Sequence, residues 1–168
     1  MLPVAAGSDT LLLEGRTAVT SVFRKVYSGV GVLLLVEYFL QLYFIAAGIF
    51  TIANADNNQK SVYAAFKNAD SFMGLHAFNG WLVGILILAF FASALAARLP
   101  RRTIGLNGLL VVLYIVQFVL AHTGIAALSA IHGINALVLI GLTGFLTGRN
   151  WAFGGPAPAT SQASPISR

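Results

Sequence analysis

Four runs of apolar residues, at about 30–52, 72–97, 104–126 and 128–147, are each long enough to cross a bilayer. In lipid no water is available to the main chain, so such runs close their own hydrogen bonds as helices. Composition agrees: 58% of the 168 residues are hydrophobic and 9% are charged, too apolar a balance for one small soluble core. The expected fold is all-α and polytopic, an up-down-up-down bundle of four transmembrane helices at about 28–53, 71–98, 103–126 and 128–148. Residues 1–150 then form one domain. Residues 151–168, with "GGPAPATSQASPISR", read as a disordered cytoplasmic tail. The third and fourth runs nearly merge across "TGIAALSA", where Gly124 and Ser129 are the expected helix breakers. Residues 16–27 are amphipathic and are expected at the membrane interface ahead of the first span. The first fifteen residues carry two acids and no base, unlike a signal peptide.

Charge sets an orientation. Arg16, Arg24, Lys25, Arg98, Arg101, Arg102, Arg149 and Arg168 fall on one side of the four spans, and only Lys60 and Lys67 on the other. Basic residues stay in the cytoplasm, so both termini are expected inside. The net charge of +5 is thereby read as topology and not as nucleic-acid binding. The absence of cysteine excludes disulfides, thiolate metal sites, iron–sulfur clusters and covalently attached c-type haem.

The spans repeat one another. Helix one, "GVGVLLLVEYFLQLYFIAAGI", laid on helix three, "GLNGLLVVLYIVQFVLAHTGI", pairs Gly29, Tyr38, Gln41 and Gly48 with Gly105, Tyr114, Gln117 and Gly124 at an offset of 76. Helix two laid on helix four pairs His76 and Asn79 with His132 and Asn135 at an offset of 56. The chain reads as a duplicated two-helix hairpin with a pseudo-twofold axis along the membrane normal. In such a bundle helices two and four are diagonal, with axes about 13 Å apart. Inward imidazoles at one depth leave room for a planar macrocycle with a metal at its centre, and neutral imidazole is a good haem iron ligand. His76 and His132 are therefore the candidate metal ligands. Asn79 and Asn135, one turn deeper, are placed to orient a propionate, a water or the main chain. Gln41 and Gln117 supply polar groups below the ring, and Gly48 and Gly124 would let it approach the main chain.

Other readings compete. The histidine pair is also compatible with structural polar packing, a chlorophyll-type pigment or another metal. His122 has Ala46 as its repeat mate, so it lies outside the symmetric set; packing competes there with bonding a propionate or gating a quinone. The Gly141, Gly144 and Gly148 stripe reads as helix packing. Glu37 lies about 10 Å into helix one. An intramembrane acid is costly, and here a structural role competes with a proton or quinone role.

The arrangement resembles one four-helix half of a haem A synthase, where histidines of the second and fourth helices face one another. Over roughly residues 25–150 the chain also resembles small four-helix bacterial membrane proteins that carry "HxxNG" in helix two and "HxxNA" in helix four. The resemblance implies a b-type haem on His76 and His132. It does not carry over synthase chemistry: those enzymes place a glutamate three residues before a ligand histidine, where this chain has Met73 and Ser129. The expected function is electron transfer by a cytochrome b-like protein of the bacterial inner membrane, and not a stand-alone enzyme. Quinone is the candidate redox partner; subunits of a larger membrane complex or a second copy are candidate protein partners. The alternative is a non-enzymatic, structural or pigment-binding subunit of a respiratory or photosynthetic complex.

Overall fold

The computed structural model describes residues 6–58 and 60–154. Four helices follow in chain order: α1 (Ala6–Asn57), α2 (Val62–Ala96), α3 (Arg101–Ala121) and α4 (Ala126–Arg149). All four are long and apolar enough to cross a membrane, and their most apolar stretches are mostly unburied within the chain. Such surface belongs against lipid. Close main-chain approach occurs between α1 and α2, α2 and α3, α3 and α4, and α1 and α4. The pairs α1–α3 and α2–α4 are therefore the diagonals expected of an up-down bundle.

Three boundaries differ from the sequence expectation. Residues 16–27 are not a separate interfacial segment but part of α1, whose 52 residues span about 78 Å at a rise of 1.5 Å each. Residues 17–26 are exposed apart from half-buried Thr20, whereas Tyr27 and Ser28 are fully buried at the root of the bundle. The polar loop between the first two spans is also short. α1 runs on to Asn57 and α2 starts at Val62, where the Ser61 hydroxyl accepts from Ala64 N–H at 3.4 Å. Buried Ala65 and Ala69, one turn apart, let the two arms close on each other. From the level of Asn79 and Asn135 this hairpin stands roughly 12–18 Å beyond the α3–α4 turn. Val62 and Phe66 belong to the first turns of α2. Thirdly, Gly124 does break the α3–α4 run, at φ +67, but Ser129 lies inside α4 and its N–H bonds Ile125 O at 2.8 Å.

Of the expected tail, residues 155–168 lie outside the described residues. Residues 151–154 are non-helical, yet not free. Ser28 Oγ accepts from Ala152 N–H at 3.0 Å and lies within donating distance of Asn150 O and Arg24 O, at 3.3 and 3.2 Å. Arg24, Lys25, Arg98, Arg101, Arg102 and Arg149 all fall at this end of the bundle, here called the arginine end. Lys60 and Lys67 fall at the other, the histidine end.

Packing is uneven along the axis. Tyr27, Leu34, Ile87, Phe90, Leu110, Leu139 and Leu146 form a dense core at the arginine end, with Tyr27 stacked on Phe90 at 4.1 Å between ring centroids. Gly31 belongs to this seal, because a Cβ there would collide with Thr147 and Phe90. Toward the histidine end the core stops. No residue of α3 beyond Leu110 is buried, and none of α4 before Asn135. The glycine stripe on α4 packs only through Gly144, which meets Leu35; Cβ atoms at Gly141 and Gly148 would enter open space.

Candidate functional site

α2 and α4 each carry a histidine and an asparagine three residues apart, and both asparagines are buried. Two hydrogen bonds of each half match at the sequence offsets. His76 Nδ1 lies 3.4 Å from Gln41 O, and His132 Nδ1 lies 3.0 Å from Gln117 O. Asn79 Nδ2 donates to Glu37 O at 3.1 Å, and Asn135 Nδ2 to Leu113 O at 2.9 Å. Both asparagine amides thus reach main-chain carbonyls of the neighbouring helix.

The carbonyls settle the imidazole tautomer. A carbonyl oxygen only accepts, so each Nδ1 carries the hydrogen and each neutral ring keeps its free lone pair on Nε2. A histidine that binds a metal through one nitrogen usually donates from the other to a carbonyl or carboxylate in this way. The two rings are half-buried, and their centroids lie 6.2 Å apart with planes at 63°. Two imidazoles on opposite sides of one metal, with bonds of about 2.0–2.1 Å and about 1.1 Å from nitrogen to ring centre, would place their centroids about 6.3 Å apart. The axes of diagonal helices are farther apart than this, and the inward side chains close the gap. The observed 6.2 Å separation is close to that spacing.

The remaining expected site residues divide. Gln117 joins the site, its Oε1 accepting from Asn135 Nδ2 at 2.7 Å. Gln41 lies at the equivalent place on α1, but its Oε1 is buried without a hydrogen bond. Gly48 is buried, and a Cβ there would collide with the methyl of Met73. The notch is thus filled by a side chain of this chain. Gly124 has open space around it and serves the turn through its positive φ. His122 is exposed at the C-terminal cap of α3; its Nδ1 lies 2.8 Å from Phe118 O and its ring packs on Phe118 at 4.4 Å. It is not brought to the pair. Glu37 is buried in the first span, 9% exposed. Among the described residues no group of three or more His, Cys, Asp or Glu side chains comes together. A groove of about 570 Å³ lined by Ala47, Phe50, Thr51, Ala53, Asn54, Asn57 and Phe72 contains none of these site residues.

One brace was not foreseen. Tyr114 Oη donates to Gly80 O at 3.1 Å, tying α3 to α2 one residue from Asn79. Gly84 makes room for it, since a Cβ there would collide with the Tyr114 ring. The Gly80–Gly84 spacing of one turn was the available signal. The offset of 56 puts Ile140 at the place of Gly84, and Tyr38, the mate of Tyr114, instead approaches Thr143. Neither hydroxyl there makes a well-formed hydrogen bond.

Residues 63–127 match DUF6220, a family of unknown function. The matched stretch covers α2 from its second residue, α3, the turn after it and the first two residues of α4, and so includes His76, Asn79, Gln117, His122 and Gly124 while ending before His132. No curated protein and no solved structure matches the chain.

Proposed function

We propose that this protein is a b-type haem-binding membrane protein that transfers electrons, with His76 and His132 as the axial ligands. The carrying observation is the 6.2 Å ring separation, with each Nδ1 facing a main-chain carbonyl. The two carbonyls fix each imidazole so that Nε2 is the coordinating atom. Asn79 and Asn135 hold α2 against α1 and α4 against α3 one turn deeper, so the two ligands stay at one depth. Haem in this place supplies a one-electron carrier. Quinone, soluble in the same bilayer, is the proposed redox partner.

The test is an absorption spectrum of the purified full chain after haem supply, with a pyridine haemochrome assay. A Soret band with sharp reduced α and β bands is expected. Far-red absorption would replace haem by a chlorophyll-type pigment. A colourless protein would leave the histidines as structural packing in a scaffold subunit.

The proposed setting is the inner membrane of a bacterium, crossed four times, with both termini cytoplasmic. The arginine-end clusters support this orientation. The chain has no cysteine, so Asn58→Cys introduces a single thiol at the tip of the α1–α2 hairpin. It should react with a membrane-impermeant thiol reagent applied to whole cells after permeabilising the outer membrane, if present. Labelling only after inner-membrane rupture would invert the topology. The matched hydrogen bonds also support origin by duplication of a hairpin.

A further inference from the structure

The two halves differ at one polar place. In the second half Asn135 Nδ2 donates to both Leu113 O and Gln117 Oε1. In the first half Asn79 Nδ2 donates to Glu37 O, and Gln41 Oε1 is left buried without a donor. The offset of 76 puts Glu37 where the second half has Leu113. The half with an acid is thus the half with an unfilled side-chain acceptor.

Glu37 and Gln41 are i and i+4 on α1, hence neighbours on one helix face. Glu37 is only 9% exposed. Among the described residues its carboxyl has no hydrogen bond or ion pair, although its main-chain oxygen accepts from Asn79. An ionised carboxylate only accepts and cannot satisfy a second oxygen. A protonated carboxyl carries one O–H donor. A lone charge within the membrane is also costly, whereas the neutral acid is not charged at all.

We propose that Glu37 and Gln41 hold one proton between them, the Glu37 carboxyl donating to Gln41 Oε1, and together form a proton-carrying site on α1. Gly80 faces this place from α2, and a Cβ there would lie 3.5 Å from Gln41 Nε2, in ordinary contact. The other titratable groups along the bundle are Tyr27, Tyr38 and Tyr43 on α1, His76 on α2, Tyr114 on α3, His122 at the C-terminal cap of α3, and His132 on α4; Asp56, Lys60, Tyr63, Lys67 and Asp70 lie on the α1–α2 hairpin beyond the histidines, and Arg24 and Lys25 at the arginine end. Arg98, Arg101, Arg102 and Arg149 lie at the arginine end. No basic side chain other than the histidines stands within the spans at the level of Glu37 to oppose a carboxylate. Gln41 also accepts from His76 through its main-chain oxygen. One residue therefore links the proton site to a proposed axial ligand. The use of the proton in electron transfer rests on the haem reading; the existence of the site does not.

Infrared spectroscopy of the full chain in lipid, at neutral pH and without added haem, tests the site. A carboxylic-acid C=O band should be present and absent in Glu37→Gln. In Gln41→Leu the band should move to higher frequency, because the acid has lost its acceptor. Gln41→Met gives the same comparison should leucine disturb folding, which the amide band reports. Two results overturn the proposal: no acid band removed by Glu37→Gln, as for a carboxylate bound by a rotated Gln41 amide, or an unmoved band in both Gln41 variants. A missing haem spectrum leaves this outcome unchanged, so the two readings fail separately.

Discussion

His76→Ala and His132→Ala are each expected to abolish the low-spin, six-coordinate haem spectrum, or to lose the haem altogether. A metal held between two imidazoles loses that coordination when either is removed, so the double variant should be no worse than the worse single one. The losses should occur without unfolding, because neither histidine belongs to the dense core at the arginine end. His122→Ala should keep the spectrum, since its ring lies on Phe118 and not with the pair. Absorption spectra of the four variants, read beside their helical circular dichroism, decide the matter. Loss of the spectrum in His122→Ala but not in His132→Ala would move the ligand to the cap of α3 and sink the present assignment.

The second large effect is expected at Asn135. Its amide bridges Leu113 O and Gln117 Oε1, and the Gln117 main-chain oxygen holds His132. Asn135→Leu removes both bonds and leaves the Gln117 side-chain oxygen unfilled, which is the costly half of losing a buried hydrogen bond. Groups that orient a ligating histidine typically change metal affinity by about 10–100-fold. Haem loss to a scavenging apoprotein should quicken within that range. Asn79→Leu should do less, because Asn79 makes one such bond and not two. Equal rates in both variants would show that the Gln117 contact contributes nothing to holding His132.

Hydropathy made the four spans legible because lipid requires long apolar helices, but it carries no signal where a helix leaves the membrane. That is why α1 and α2 extend through "TIANADN" and "VYAAFKNAD", stretches that read as a polar loop. The one-turn spacing of Ala65 and Ala69 was their trace. The histidine pair could be found because two offsets brought the same residue types together at the same depth. The offsets did not say what the side chains touch. Gly48 looked like clearance for a ring, yet Met73 fills the space. Gly124, its repeat mate, answers to backbone conformation instead. The Tyr114 brace needed knowledge of which helix stands beside α3, and that appears only when the bundle is assembled.

The one-sided core has a consequence for biogenesis. Tyr27 on Phe90, Gly31 against Thr147, and the Ser28 clasp on residues 150–152 close the arginine end with residues of this chain alone. Newly inserted helices can therefore assemble there without any prosthetic group. At the opposite end α3 and α4 bury no residue beyond the asparagine level. Should the proposed haem be the occupant, its loading would then be a late event on an already inserted protein.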